Sequence, residues 1–356
     1  MPFPMRNILL LLLAALLCSC GGQNGKPKTK EAETSLLAMG TYITMRAAGT
    51  EAEGALQQAA AEIRRLEKLW SVTDPDSEIS ALNRAQGRTI QVSPETAGLL
   101  AFALRMAEKT GGAFDPSIYP LTAAWGFPAQ EYRVPPESEI AACLAHVGWA
   151  RISLDKTART VTVPDGAGLD FGGIAKGRAG DAAAECLRRA GVRSALLNLG
   201  GNIQLVGQRP DGTPWNIGIR DPSGREILGA VQAESCAVVT SGSYERNFTG
   251  TDGQVYGHIL NPHTGRPAES GLTSVTTVTG SGTLADALST ALFVMGAEKA
   301  ARFWRQAAGT PEAFEMVLVT RTGDILVSEG LAHRFSPAGE ERAAHTHILR
   351  LAETGE

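Results

Sequence analysis

The sequence predicts a single compact α+β unit. Apolar residues at helical spacing are mixed with period-two stretches, and the regular βαβ alternation of a doubly wound sheet is missing. No internal repeat or low-complexity linker divides residues 35–350. The chain has 356 residues, which at ~150 per domain allows two domains or one large one of two lobes. With 43% hydrophobic and 20% charged residues, the chain can bury a full core, which excludes a disordered chain and a small disulfide-stapled scaffold.

The elements follow in order. Leu56, Ala59, Ile63, Leu66 and Trp70 form a helical stripe over Glu51–Trp70. Ser93-Pro94 supplies an N-cap and a first-turn proline for a helix to about Lys109, closed by Gly111-Gly112. A short helix is expected over Glu137–His146, then a hairpin of Arg151–Asp155 with Arg159–Val163. Strands are expected at Ala195–Leu199, Gln204–Gly207, Trp215–Ile219, Ser274–Val278 and Glu315–Val319, the last pairing with Asp324–Val327 across Thr322-Gly323. One helix follows Asp170–Gly173 and another runs from about Ala285 to Gln306. His345-Thr346-His347 reads as a solvated tail rather than a metal pair.

Residues 1–19 read as an export signal: Arg6 precedes an apolar run, Ile8–Leu17, too short to span a bilayer. The run ends Leu17-Cys18-Ser19-Cys20-Gly21, similar to a bacterial lipobox, so Cys20 is the expected lipidation site and residues 20–34 a flexible tether, the alternative being a cleaved signal that releases a soluble protein. This places residues 35–350 on the periplasmic side of a bacterial membrane, held by acyl chains. Cys143, Cys186 and Cys236 have neither an even count nor CxxC spacing, so no disulfide framework or zinc site is implied. Lys plus Arg total 33 against 37 Asp plus Glu, a formal charge of −4. That balance offers no concentrated basic surface for nucleic acid.

Four segments carry candidate chemistry. Gly111–Ser117 combines paired glycines, Phe114 and Asp115, a turn able to shape a slot for a flat ring. Asp170–Gly177 leads into a helix with glycine in front and Lys176 nearby, an arrangement suited to phosphate. It lacks the spacing of a P-loop or of GxGxxG. Thr240–Arg246 and His258–Gly265 hold hydroxyls and two of the six histidines, without a nucleophile elbow. Asp286 and Thr290, four apart on one helical face, present oxygens to one point, a hard donor set suited to Mg²⁺ rather than zinc.

Taken in order, Met39-Gly40-Thr41, Ser77-Glu78-Ile79 with Leu82-Asn83, Gly111–Ser117, Asp170–Gly177, Asn198-Leu199-Gly200-Gly201-Asn202, Trp215, Thr240–Tyr244, His258–Gly265 and Asp286–Thr290 resemble the ApbE family. The resemblance spans about residues 35–330. It implies a T-fold-related unit with FAD between two lobes, Mg²⁺ (or Mn²⁺) on the diphosphate, and transfer of FMN from FAD to a Thr or Ser hydroxyl of an acceptor protein, releasing AMP. It also implies flavin-nucleotide contacts at Met39, Thr73, Ala113, Phe114, Asp115, Asp170, Lys176 and Leu260. The metal would be held by the Gly173 carbonyl, Asp286 and Thr290, with Ser289 near or in the shell. His258 is the expected general base and Asp286 the second catalytic residue. Thr73 stands where the family often has Tyr, and Ser289 where it often has Ala or Asp. Acceptors would be flavoprotein subunits of membrane redox complexes (Na⁺-translocating quinone reductase or RNF-type) or other exported flavoproteins. FAD hydrolysis to FMN and AMP, or FAD binding without catalysis, are the alternatives.

Overall fold

The computed structural model describes residues 30–224 and 226–352; the signal segment and Cys20 lie outside them. The first half forms β1 (Glu31–Ala38), β2 (Thr41–Ala48), α1 (Ala52–Trp70), α2 (Glu78–Asn83), β3 (Thr89–Gln91), α3 (Pro94–Lys109), α4 (Tyr119–Ala124), α5 (Glu137–Leu144), β4 (Ser153–Asp155) and β5 (Thr160–Thr162). Then come α6 (Ala175–Arg189), β6 (Ser194–Leu199), β7 (Asn202–Val206), β8 (Trp215–Arg220), β9 (Ile227–Ala233), β10 (Ala237–Gly242), β11 (Asn247–Thr249) and β12 (Val255–Gly257). The chain continues with β13 (Leu272–Thr279), α7 (Gly282–Met295), α8 (Ala297–Ala307), β14 (Glu315–Thr320), β15 (Ile325–Ser328), β16 (Phe335–Pro337), α9 (Glu340–Ala344) and β17 (Thr346–Leu349).

A nine-stranded sheet, ordered β1-β2-β6-β7-β10-β13-β14-β15-β17, carries helices on one face. There α1 packs on α6, α6 on α7, and α7 on β10 and β13. The stripe read on α1 is the buried one, Leu56, Ala59, Ile63, Leu66 and Trp70 all facing the core. Fully burying a side chain of this size contributes ~1.5–3 kcal/mol. The other face of the sheet is covered by a three-stranded sheet, β16-β9-β8, where Leu205, Val238 and Val317 meet Ile217, Ile219 and Val231. A separate apolar cluster of Leu121, Trp125, Ile140 and Leu260 ties α4 and α5 to the segment after His258.

Three expectations need correction. β1 begins at Glu31, and residues 31–34 of the span read as tether pair with β2. Glu31 and Glu33 are the exposed side of an edge strand, which gave the segment its polar look. The helix expected over Ala285–Gln306 is two helices. Gly296, at φ +80°, separates them, and a side chain there would meet the Ser270 carbonyl oxygen at 2.9 Å. The His345–His347 segment is no loose tail: Thr346–Leu349 pairs in parallel with β15 at the sheet's far edge, although both imidazoles stay exposed beside Asp324.

Candidate active site

The crossing of α6 and α7 builds the site. Both helix starts depend on residues distant in sequence. Ile174 caps α6 with no side-chain hydrogen bond, leaving first-turn N–H groups for other partners. Asp181 on α6 caps α7, accepting from Gly282 N at 2.7 Å, Thr283 N at 2.9 Å and Thr283 Oγ1 at 2.7 Å. The helices touch backbone to backbone: a Cβ on Gly177 would lie 2.1 Å from the Gly282 carbonyl oxygen. Glycine at 177 is therefore a requirement of the close approach.

This crossing sets the oxygens. In an uninterrupted helix the Gly177 N–H would bond to the Gly173 carbonyl. It donates instead to Asp286 Oδ2 at 2.8 Å, and among the described residues the Gly173 carbonyl accepts no backbone N–H. A Cβ on Gly173 would fall 3.2 Å from Thr290 Oγ1 and 3.4 Å from Phe114 Cε2. The structure thus brings Gly173 near both Asp286, through Gly177, and Thr290, with Phe114 as the neighbouring wall. Ser289 does not join them. Its side chain is fully buried, donates to the Asp286 carbonyl at 2.9 Å and pairs with Ser241 Oγ at 2.8 Å. Position 289 is turned about 60° from Asp286 around the helix, toward the sheet.

Burial pushes the Asp286 carboxyl above the ordinary carboxylate range, while the Lys176 charge, the Gly177 N–H and the Asn202 amide pull it back down. Lys176 Nζ reaches the Gly172 carbonyl at 3.3 Å. Its charge also acts on Glu245, whose carboxyl burial pushes up, and on His258. Burial, with the Lys176 and Arg246 charges, presses the His258 imidazole down to about 4. Nδ1 of His258 lies 3.1 Å from the Arg246 carbonyl. A carbonyl only accepts, so the proton sits on Nδ1 and Nε2 carries the lone pair.

The other expected contacts have mixed standing. Asp115 is buried and its oxygens are committed locally: Oδ1 accepts from Ser117 N at 2.8 Å and Ser117 Oγ at 2.6 Å, and Oδ2 from Trp149 N at 3.2 Å. Burial raises its pKa. Its carboxylate holds the loop that carries Ala113 and Phe114, both buried. Asp170 closes a turn on Gly172 N at 2.8 Å and accepts from Thr122 Oγ1 at 3.0 Å. Leu260 buries its side chain in the Trp125 cluster, so only its backbone remains for a ligand. Met39, at φ +54°, is held by Glu67 Oε1 at 2.5 Å, and Arg246 Nη2 donates to the next carbonyl, Gly40, at 2.6 Å. Thr73 is exposed on the loop after α1. A depression of about 710 Å³, lined by Ser243, Tyr244, Tyr256, Gly257 and Ile259 among others, lies against the strand leading to His258 and contains none of residues 173, 286 and 290.

The donor set fits a divalent cation of the Mg²⁺ kind. One carboxylate, a hydroxyl and a free carbonyl are hard oxygens, and Mg²⁺ characteristically takes one or two carboxylates and completes its shell with substrate phosphate and water. Among the described residues there is no group of three or more His, Cys, Asp or Glu placed to hold a metal. Sequence reasoning missed Asp181 and Glu67, whose roles depend on contacts across the fold, and placed Glu245 and Arg246 in a candidate segment without giving them roles. It quoted Asn202 in a motif without giving it a role.

Known proteins resemble this chain in sequence and in fold. Residues 39–314 match the ApbE family. The FAD:protein FMN transferase of Treponema pallidum (strain Nichols) is 33% identical over 325 residues, covering 85% of this chain and 89% of that protein. The Escherichia coli K12 protein of the same name is 28% identical over 339 residues, covering 91% and 95%. The crystal structure of the ApbE protein from Thermotoga maritima superposes with a TM-score of 0.79 at 33% identity, covering 85% of this chain and 98% of that one. The flavin transferase ApbE from Vibrio cholerae gives 0.73 at 26% identity, covering 88% and 98%.

Proposed function

The chain belongs to the ApbE family and is an FAD:protein FMN transferase; from its geometry we propose that it moves FMN, with Mg²⁺ or Mn²⁺, onto a Thr or Ser hydroxyl of an acceptor protein. The acceptor oxygen attacks the FMN-side phosphorus, the bond from that phosphorus to the bridging oxygen breaks, and AMP leaves with the bridging oxygen. The observation that carries this reading is the convergence of the Gly173 carbonyl, Asp286 and Thr290 at the start of α6.

The Lys176 ammonium and the positive end of α6 attract the diphosphate and fix its direction. Asp286, Thr290 and the Gly173 carbonyl would hold the cation, which when bound neutralises diphosphate charge and stabilises the leaving phosphate. His258 Nε2 takes the proton from the acceptor hydroxyl, a role its neutral state at physiological pH permits. Phe114, packed against Gly173, walls the cleft on the flavin side. Holding both reactants in line lowers the barrier further.

We further propose that the enzyme is exported and lipid-anchored through Cys20, serving flavoprotein subunits of membrane redox complexes. Among the described residues no helix is long and apolar enough to cross a membrane.

The test mixes purified protein, FAD, MgCl₂ and an acceptor. Flavin fluorescence on the denatured acceptor band, abolished by EDTA, is the expected result. Free FMN without labelled acceptor would make the protein a hydrolase, and neither product would make it a binding protein.

A further inference from the structure

The turn between β1 and β2 is Met39-Gly40, and both residues sit at positive φ, +54° and +65°. A two-residue hairpin can demand that conformation at both positions. Gly40 adopts it freely and Met39 does not, so the turn needs holding. It is held from two sides. Glu67 Oε1 on α1 accepts from Met39 N at 2.5 Å. Arg246, 206 residues further along the chain, donates from Nη2 to the Gly40 carbonyl at 2.6 Å. The fit is close, since a Cβ on Gly40 would lie 3.0 Å from the same Nη2.

The main chain of Arg246 makes a second connection. Its carbonyl accepts from His258 N at 3.0 Å and stands 3.1 Å from His258 Nδ1. One residue therefore grips the turn with its side chain and the histidine with its backbone. Asn247, the next residue, pairs with Gly257 in the β11–β12 ladder, which fixes Arg246 as the residue whose carbonyl meets the ring. Phe248 and Tyr256 of the same ladder pack on Trp125, with ring centroids 6.4 Å and 5.3 Å away. The hairpin is thus anchored in the core at one place, and the guanidinium anchors the end that carries His258.

We propose that Arg246 is a positioning residue for His258: anchored on Gly40, it fixes the main-chain carbonyl that holds Nδ1 and so aims Nε2 at the acceptor hydroxyl. The proposal rests on the reading of His258 as the base. It joins the turn that bears Met39 to the group that takes the proton, through a single side chain.

The test measures FMN transfer to an acceptor protein, by flavin fluorescence on the denatured acceptor band, across FAD concentrations. Four proteins are compared: wild type, Arg246→Met, His258→Gln and the double variant. Methionine keeps an apolar stem and removes the donors. Arg246→Met is expected to lower kcat by ~10–10²-fold, the scale of a misplaced reacting group, with the KM for FAD unchanged. In the His258→Gln background the same substitution should cost nothing more, because residues acting through one another are not additive. If Arg246→Met does not fold, Arg246→Gln, shorter and uncharged, replaces it in the same comparison. A wild-type kcat in the Arg246 variant overturns the proposal. So does a loss confined to the KM for FAD, or an equal further loss in the His258→Gln background. Wild-type transfer by His258→Gln alone would instead overturn the reading of His258 as the base.

Discussion

Gly177→Ala is the smallest change that should separate α6 from α7. The added Cβ would lie 2.1 Å from the Gly282 oxygen, 2.5 Å from the Gly282 carbon and 2.8 Å from Asp286 Cβ. Favourable contact begins near ~3.5 Å, so backbone must move by roughly 1 Å. No flexible side-chain end can absorb this, because the nearest atoms are the main chain of the neighbouring helix. Overpacking of this kind costs ~1–3 kcal/mol, offset by the ~0.5–1 kcal/mol that alanine gains over glycine inside a helix. A net loss of about 1–2 kcal/mol follows from those two terms. The functional effect is larger: the same shift pulls Asp286 from Gly177 N–H and Thr290 from Gly173, and a misplacement of about 1 Å can cost ~10²-fold in rate. Thermal melting and the Mg²⁺ dependence of FAD binding measure the two effects separately. Gly98→Ala is the comparison, since Gly98 on α3 has nothing within 4 Å of an added Cβ and should gain stability without altering transfer. Gly177→Ala with wild-type melting and a wild-type Mg²⁺ requirement would refute the close-crossing account.

Asp286→Asn removes a buried charge, so it should melt at or above wild type while losing transfer by roughly 10³-fold, the several kcal/mol a cation supplies; in-gel flavin fluorescence reads the loss. Ser289→Ala should cost only ~1 kcal/mol of stability, the loss of a hydrogen bond, with an unchanged Mg²⁺ requirement; a raised requirement would return Ser289 to the metal shell. His258→Gln should slow transfer by ~10²–10⁴-fold with FAD affinity retained. The His258 pKa is about 4 in the fold against 6.5 unexposed to it, so as pH falls the unfolded chain takes the proton first. Stability should therefore decline between those two values, and urea titrations across that window should show the decline removed in His258→Gln. The kcat/KM profile of the wild type should stay level to about pH 5 before its acid limb. An acid limb centred at 6.5 would contradict the desolvated, neutral imidazole.

What the sequence revealed about the site was periodicity, and what it concealed was direction. Spacing alone places Asp286 and Thr290 on one helical face, because residues four apart differ by about 40° around the axis. The same arithmetic brings Ser289 within about 60° of Asp286, too close for pattern to decide. Ser241, on a strand 48 residues earlier, decides it by hydrogen-bonding Ser289 from the sheet. The α1 stripe and the Ser93-Pro94 start of α3 were readable for a related reason: their signals are local, and the side chain of Ser93 accepts Thr96 N as such a cap should. The start of α7 at Gly282, three residues before the expected Ala285, has a local cap in Ser281, which accepts Leu284 N, and a distant one in Asp181, 101 residues before Gly282. β1 and β17 were hidden because an edge strand with one polar side looks like solvated chain until its partner is known.

The glycines connect composition to chemistry more firmly than any single polar residue. Three of them serve helix–helix and helix–loop contact. Gly177 admits the Gly282 carbonyl, Gly282 admits the Gly177 carbonyl at 2.8 Å of its own missing Cβ, and Gly173 admits Thr290 and Phe114. With those side chains absent, α6 starts against α7 closely enough for Asp286 to take a helical N–H that would otherwise cover the Gly173 carbonyl. One exchange of hydrogen-bond partners thus does two things: it fixes a carboxylate and frees a carbonyl within the same cleft. A larger residue at 177 would reverse both at once, so stability and metal affinity should fall together there, whereas at Asp286 they should part.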